Sequence, residues 1–88
     1  MNIRHQTQCK YKLEIDATGL LCPLPVLKLR KRIKEIDSGE IVKLVTDDPA
    51  ASVDVPHFCL ENNYELLFFE SADYELNKNL KAFFIKKS

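Results

Sequence analysis

A cysteine at the predicted start of a helix is the feature of this sequence best suited to chemistry. Cys22 opens the run Cys22-Pro23-Leu24-Pro25, and apolar residues follow at helical spacing: Val26, Leu29, Ile33 and Ile36. Proline is favoured at the first helical position because its missing N–H would be unpaired there, so the pattern predicts Cys22 as the N-cap. The thiolate is the nucleophilic form of cysteine, and the macrodipole stabilises an anion at a helix N-terminus. Nucleophilic sulfur chemistry is therefore the first hypothesis.

The residues around Cys22 predict how its thiol is presented. Pro25 lacks an amide hydrogen, so Leu24 offers the free first-turn N–H that an anion on Cys22 would face. Gly19 allows a sharp turn from the preceding strand. The two leucines before the cysteine place apolar surface beside the sulfur, which opposes ionisation. The ordinary alternative, a buried cysteine that happens to begin a helix, is disfavoured because cysteine is a poor N-cap.

Two aspartates follow the next apolar run and are expected near the thiol. Asp47 and Asp48 come after residues 41–45, which predict an interior strand. If the first two strands are parallel neighbours, their carboxyl ends meet at one edge, where open α/β sheets bind ligands. Asp48 precedes Pro49, the pattern of a helix cap. Asp47 either orders the Cys22 loop or raises the pKa of the thiol by like-charge repulsion.

The hydrophobic periodicity predicts the order strand, helix, strand, helix, strand, strand. Residues 11–15 alternate as in a half-buried strand, and two later apolar runs, 65–69 and 82–85, predict a hairpin linked by the polar stretch 72–79. Two strand-helix-strand units with right-handed crossovers place both helices on one face of the sheet. The predicted fold is α+β: a two-layer α/β sandwich, β-α-β-α-β-β, with a mixed four-stranded sheet.

The second helix contains a proline, which complicates its prediction. Pro56 interrupts the helical pattern, so we expect one turn from Pro49 and a longer helix that begins near Asp54. Asn63 is expected to supply the left-handed residue that ends this helix. Cys59 lies on the face that should meet the sheet, and it is expected in the core.

Length and composition limit the class of protein. With 88 residues and no net charge, the chain has room for one core; we expect a flexible segment 1–9 and a single domain 10–88. Three cysteines without a Cys-x-x-Cys pair, and no apolar run long enough for a signal peptide or membrane span, indicate a reduced cytoplasmic setting. The spacing of His57 and Cys59, with a remote Cys9, matches no usual zinc site, so no metal is expected.

Basic residues are concentrated just after the cysteine motif. The five are Lys28, Arg30, Lys31, Arg32 and Lys34. They form a solvated helix face, a docking strip for an acidic partner with Lys28, Lys31 and Arg32 as contacts, or an RNA-binding patch. RNA binding is the least favoured of the three, because no aromatic residues that could stack on bases are interleaved with the charges.

Three motifs occur in order along the chain: Gly19-Leu20-Leu21-Cys22-Pro23-Leu24-Pro25-Val26, Asp47-Asp48-Pro49-Ala50 and Val55-Pro56-His57-Phe58-Cys59. In these motifs, their order and their spacing, the chain resembles the TusA/SirA-like sulfur carrier family from about residue 13 onward. The resemblance implies the fold of the C-terminal domain of translation initiation factor 3 and a persulfide on Cys22. The tRNA-thiolation carriers of the family typically have Arg before this cysteine and Glu between the prolines, where this chain has Leu21 and Leu24.

The resemblance implies a sulfurtransferase-type carrier rather than a stand-alone turnover enzyme. Cys22 would accept sulfur from a cysteine desulfurase or similar persulfide donor and relay it to a downstream acceptor, in tRNA thiolation, molybdenum cofactor synthesis or another pathway. It implies transient protein complexes, a monomer between them, and no cofactor beyond the persulfide; neither stable nucleic acid binding nor membrane binding is expected. Two alternatives remain: a thiol redox protein that pairs Cys22 with Cys59, and a regulatory or RNA- or protein-binding module that uses the basic first helix.

Overall fold

A computed structural model describes residues 10–71 and 80–88 of the chain. Its elements, in order, are β1 (Leu13–Asp16), α1 (Leu24–Arg32), β2 (Ile41–Thr46), α2 (Ala51–Glu61), β3 (Glu65–Ser71) and β4 (Lys81–Lys86). A short 3-10 turn, Ile33–Glu35, continues α1. The predicted flexible segment 1–9, with Cys9, and the predicted linker 72–79 lie outside the described residues.

The four strands form one mixed sheet in the order β1-β2-β4-β3. β1 and β2 are parallel, with Leu13 opposite Val42 and Asp16 opposite Val45. β4 runs antiparallel to both β2 and β3. The predicted parallel pair, the predicted hairpin pairing and the predicted α/β sandwich are confirmed. The carboxyl ends of β1 and β2 consequently lie side by side, and the loops that follow them start at the same edge.

Alternate strand residues and one face of each helix form the hydrophobic core. The strands contribute chiefly Ile15, Val42, Leu44, Phe83 and Ile85, and the helical segments Leu29, Ile33, Val55, Phe58 and Cys59. Because both helices bury residues in one cluster with the same strand face, they cover the same side of the sheet. Full burial of a Leu, Ile or Phe side chain contributes about 1.5–3 kcal/mol. Cys59 is in the core, as predicted, with 2% of its surface exposed.

Aromatic rings cover much of the opposite face of the sheet. Phe68 stacks on Phe84 with ring centroids 4.6 Å apart, and the Tyr11 ring lies 6.1 Å from Phe84. Nζ of Lys43 lies 5.3 Å from the centroid of Tyr11 and 5.9 Å from that of Phe84. Phe84 is buried in this way although neither α1 nor α2 covers it. The central strands are therefore packed from both sides, which fixes the strand ends that carry the loops.

The start of α1 differs from the prediction. The helix begins at Leu24 with Pro23 as its N-cap, one residue later than the predicted cap at Cys22. The Cys22–Pro23 peptide bond is cis. The N–H of Leu24 donates to the carbonyl of Leu21 at 2.8 Å, which closes a turn just before the helix. This amide is therefore used by the backbone, and it is not the free donor that we expected an anion on Cys22 to face.

Helix α2 is continuous across Pro56, so the predicted interruption is wrong. Pro56 lacks the N–H that would pair with the carbonyl of Ser52, an exposed residue, and the local loss is about one hydrogen bond. Val55 and Phe58, on either side of the proline, stay buried against the sheet. Because this packing spans the proline, it stabilises the helix more than the missing bond destabilises it.

The end of α2 agrees with the prediction. Asn63 has φ 60°, in the left-handed region. The N–H of Tyr64 donates to the carbonyl of Cys59 at 2.9 Å, and that of Asn63 to Leu60 at 3.4 Å. This pair of bonds is the Schellman motif, in which the last carbonyls of a helix are satisfied by residues just beyond it. No helix among the described residues has the length and apolar character needed to cross a membrane.

Candidate thiol site

The loop between β1 and α1 is held by two aspartates at the ends of neighbouring strands. Oδ1 of Asp16 accepts the side-chain hydroxyl of Thr18 at 2.7 Å and its N–H at 3.0 Å, and these bonds hold the pKa of Asp16 below its usual value. Gly19 has φ +80°, and its N–H donates to Oδ1 of Asp47 at 3.0 Å. This last bond joins the Cys22 loop to the end of β2, so the two loops meet.

Asp48 is buried and shapes the turn that leads into α2. The helix has Ala50 as its N-cap and no side-chain cap, so Asp48 is not the N-cap that the sequence predicts. A tighter turn comes first, in which the N–H of Ala51 donates to the carbonyl of Asp48 at 3.0 Å. Oδ1 of Asp48 accepts the N–H of Ala50 at 3.1 Å. Its Oδ2 is buried without a hydrogen-bond partner among the described residues.

Cys22 lies at a cavity of about 200 Å³ lined by both helices. The α1 side supplies Cys22, Pro23, Val26 and Arg30. The α2 side supplies Asp54, His57, Phe58 and Glu61. Val26 and the buried Phe58 give the cavity an apolar lining, and the guanidinium carbon of Arg30 lies 5.9 Å from the ring centroid of Phe58. Nε2 of His57 lies 3.2 Å from Oε2 of Glu61. A thiol, a cation and carboxylates thus share one small cavity.

The two prolines of the motif have different positions. Pro23 is exposed and lines the cavity beside the thiol, whereas Pro25 is buried in the first turn of α1. Cys22 itself is exposed. Three leucines near it in sequence are also exposed, with 66% of the surface of Leu21, 48% of Leu24 and 49% of Leu27 accessible to solvent. Exposed apolar side chains grouped in this way are typical of surfaces that contact other molecules.

The pKa of the Cys22 thiol is raised above its ordinary value. The largest cause is a hydrogen bond to the carboxylate of Asp54, which would be lost on ionisation. Desolvation and the negative charges of Asp54 and Asp48 act in the same direction. The direction of the pKa shift is therefore opposite to the stabilisation of an anion that the sequence predicts at this helix start. The carboxylate that raises the pKa of the thiol most is that of Asp54, whereas Asp47 accepts the Gly19 amide.

The basic residues after the motif do not form a continuous free strip. Nζ of Lys28 donates to the carbonyl of Asp16 at 2.5 Å, and Nε of Arg32 pairs with Glu35 at 2.7 Å. Lys31 is exposed. Of the three predicted docking residues, two therefore make contacts within the molecule that support the β1 end and the end of α1.

Sequence reasoning did not assign Arg30 or Asp54 to the site, although a signal for both was present. Cys22, Val26 and Arg30 follow one another at intervals of four, the spacing of one helix face. Asp54 is followed by Phe58 at the same interval. Each set lines the cavity from its own helix. In the part of the chain that the structure describes, no three His, Cys, Asp or Glu side chains form a group that could hold a metal ion.

The fold and the site define a class: two-layer α/β proteins with an exposed thiol just before the helix of the first strand-helix-strand unit. A family model described as sulfurtransferase TusA matches residues 13–87. The chain belongs to the TusA family, as the motifs predicted. It is also similar to the sulfur carrier protein TusA of Pseudomonas entomophila (strain L48), with 43% identity over 53 residues. That match covers 60% of this chain and 66% of the relative, a little under two thirds of its length.

Proposed function

We propose that this protein is a sulfur carrier that holds a persulfide on Cys22. The observation that carries the proposal is the exposure of Cys22 in its Cys-Pro-Leu-Pro motif, in a chain of the TusA family. A thiol that receives sulfur from one protein and gives it to another must be reached by both. Cys22 meets that requirement, whereas Cys59 is buried.

Loading transfers one sulfur atom without net oxidation. The Cys22 thiolate attacks the outer sulfur of a donor persulfide; the new S–S bond forms as the donor's S–S bond breaks, and the donor leaves as a thiolate. The overall change is Cys22–SH + R–S–SH → Cys22–S–SH + R–SH. Unloading is the same reaction with an acceptor thiol as nucleophile. The persulfide is the only covalent intermediate, and no resident cofactor takes part.

The donor is a cysteine desulfurase or another protein that carries a persulfide, and the acceptor is a downstream sulfurtransferase or enzyme. Both complexes are transient, and the carrier is a cytoplasmic monomer between them. The exposed Leu21 and Leu24 give the thiol an apolar rim where tRNA-thiolation carriers of the family typically have Arg and Glu. This rim favours partners with an apolar entrance, and tRNA thiolation, molybdenum cofactor synthesis and other sulfur-transfer routes are the candidate pathways.

Sulfur loading can be measured directly by mass. The protein is incubated with a cysteine desulfurase, cysteine and pyridoxal phosphate, and the intact mass is recorded under non-reducing conditions. We expect a gain of about one sulfur atom that persists in Cys9→Ser and Cys59→Ser and is absent in Cys22→Ser. A gain that persists in Cys22→Ser, or that is absent from the wild type with every desulfurase tried, contradicts the proposal.

The two alternatives have less support in the geometry. A redox pair needs a second reactive thiol, but burial raises the pKa of Cys59 to about 11 and leaves 2% of its surface exposed. A binding module on the basic helix needs free cations, and Lys28 and Arg32 already contact other groups. Binding that survives Cys22→Ser and falls steeply with salt would support this second alternative.

A further inference from the structure

The cavity beside Cys22 contains charged groups to which the proposed transfer between two proteins assigns no step. Arg30 lines it from α1, and none of the salt bridges among the described residues involves its guanidinium. Its described contact is with the ring of Phe58. On the α2 side, Asp54 lines the same cavity, and its carboxylate, as a hydrogen-bond acceptor and a negative charge, raises the pKa of the thiol. Arg30 and two carboxylates, those of Asp54 and Glu61, therefore line the same small space, and Glu61 already lies 3.2 Å from His57.

The chemical types of Arg30 and Asp54 suit the main-chain end of a free amino acid. A guanidinium binds a carboxylate through two parallel hydrogen bonds, which makes Arg30 suited to the carboxylate end. The ammonium group, with three donors, suits Asp54. Val26 and Phe58 supply apolar contact for the carbon atoms between them. At about 200 Å³ the cavity is smaller than the pockets of roughly 300–1,000 Å³ that hold drug-sized ligands.

We propose that the cavity binds a small zwitterionic persulfide, that of a free amino-acid thiol such as cysteine, and presents its outer sulfur to Cys22. The carboxylate lies against Arg30 and the ammonium group against Asp54. The proposal rests on the proposed function and adds a class of substrate to it: the carrier can be loaded by a small molecule as well as by a protein.

The transfer itself balances without an additional reactant. The S–S bond of the amino-acid persulfide breaks as the Cys22 S–S bond forms, and the amino-acid thiol leaves with the proton that Cys22 gives up: Cys22–SH + R–S–SH → Cys22–S–SH + R–SH. Binding also assists the chemistry. When the ammonium group pairs with Asp54, it neutralises the charge that opposes ionisation of the Cys22 thiol.

Three symmetrical disulfides are stable probes of the two binding groups. Cystine carries both an ammonium and a carboxylate on each half, cystamine only the ammonium, and 3,3′-dithiodipropionate only the carboxylate. Each reacts as Cys22–SH + RS–SR → Cys22–S–SR + RSH, and the rate is followed by intact mass at neutral pH in the full-length protein. Each rate is divided by the rate at which the same probe reacts with a small neutral reference thiol. This division removes the intrinsic reactivity of the probes.

For the wild type, we expect the normalised rate with cystine to exceed those with the other two probes by about threefold to fivefold, the effect of one additional partly exposed ion pair. Arg30→Gln should remove the advantage of cystine over cystamine. Asp54→Asn should remove its advantage over dithiodipropionate. Because Asp54→Asn also alters the general reactivity of the thiol, the probes are compared as ratios within each variant. Lys34→Gln, which removes an exposed cation outside the cavity, should leave every ratio unchanged.

Equal normalised rates for the three probes in the wild type, or ratios that Arg30→Gln does not change, would overturn the inference. If a desulfurase still loads Cys22 in that case, the small-molecule proposal fails and the carrier proposal stands. If neither the desulfurase nor cysteine persulfide loads Cys22, the carrier proposal itself fails.

Discussion

Two local effects of opposite sign act on the ionisation of the Cys22 thiol. The position beside the start of α1 favours the thiolate, while the hydrogen bond to Asp54 and the charges of Asp54 and Asp48 favour the thiol. The effect of the macrodipole is spread over several peptide groups, whereas Asp54 acts on the thiol from within the same cavity. The thiol form is therefore the resting state of the free protein. Such a thiol resists unwanted oxidation and alkylation at neutral pH.

Replacing Asp54 tests this balance. We expect Asp54→Asn to lower the pKa of Cys22, because the amide carries no charge and its oxygen is a weaker acceptor for the thiol. The rate of alkylation by iodoacetamide depends on the thiolate fraction, so its midpoint should shift to lower pH and the rate near neutral pH should rise several-fold.

The matched control for this measurement is a second carboxylate in the same cavity. Glu61 lies beside His57 and is not among the groups that act on the thiol, so Glu61→Gln should leave the alkylation midpoint in place. An unchanged midpoint in Asp54→Asn, or an equal shift in both variants, would show that the Asp54 carboxylate does not control the pKa of the thiol.

Among the elements, the loop between β1 and α1 has the most direct role in positioning the sulfur. Two hydrogen bonds link it to the β2 end: the N–H of Ala17 donates to the carbonyl of Val45 at 2.7 Å, and the N–H of Gly19 donates to Asp47. We expect Asp47→Ala to speed hydrogen exchange at the Gly19 amide by about fivefold or more, since a net hydrogen bond is worth about 1 kcal/mol. Asp47→Asn keeps an oxygen acceptor and should retain most of the protection. Amides in the interior of β2 serve as the internal reference, and equal exchange in the three proteins would refute the role of this bond.

Helix α2 contains a local cost at Pro56 that packing outweighs. Proline in a helix interior is about 3 kcal/mol less favourable than alanine, although it also restricts the unfolded chain by about 0.4–1 kcal/mol. Pro56 is partly buried, so some packing is lost on truncation. We expect Pro56→Ala to stabilise the protein by about 1–2 kcal/mol in urea unfolding. Pro49→Ala, in the exposed turn before the helix, should not stabilise it. Destabilisation by Pro56→Ala would mean that the ring's packing exceeds its cost to the helix.

For the whole molecule, the sequence predicts the sheet, the crossovers and the meeting of two loops, because each depends on periodicity and on general rules of connection. The predicted start of α1 and the predicted interruption of α2 are wrong because each depends on a competition between two interactions. At Leu24 a local turn takes the amide, and at Pro56 long-range burial overrides a local penalty. That Arg30 and Asp54 line the same cavity depends on the relative placement of two helices, which no single segment encodes.

The pH dependence of folding tests the burial of Cys59, which belongs to the core of the whole fold. Burial raises its pKa to about 11 in the folded state, whereas in the unfolded chain it is about 8.5–9. Between these values the unfolded chain has lost the proton and the folded protein retains it, so unfolding becomes more favourable as the pH rises. The stability from the protonated thiol is thus fully present below about pH 8.5 and is lost as the pH approaches about 11, by about 2–3 kcal/mol in total.

Lysine and tyrosine residues titrate in the same range, so the informative quantity is the difference in unfolding free energy between the wild type and Cys59→Ala. Urea unfolding at a series of pH values should show the wild type more stable by about 1 kcal/mol or more near pH 8, because the alanine leaves a small void in the core. That advantage should shrink and then reverse toward pH 11, since the variant has no buried thiol to ionise. A difference that stays constant from about pH 8 to 11 would show that water reaches Cys59 in the folded state.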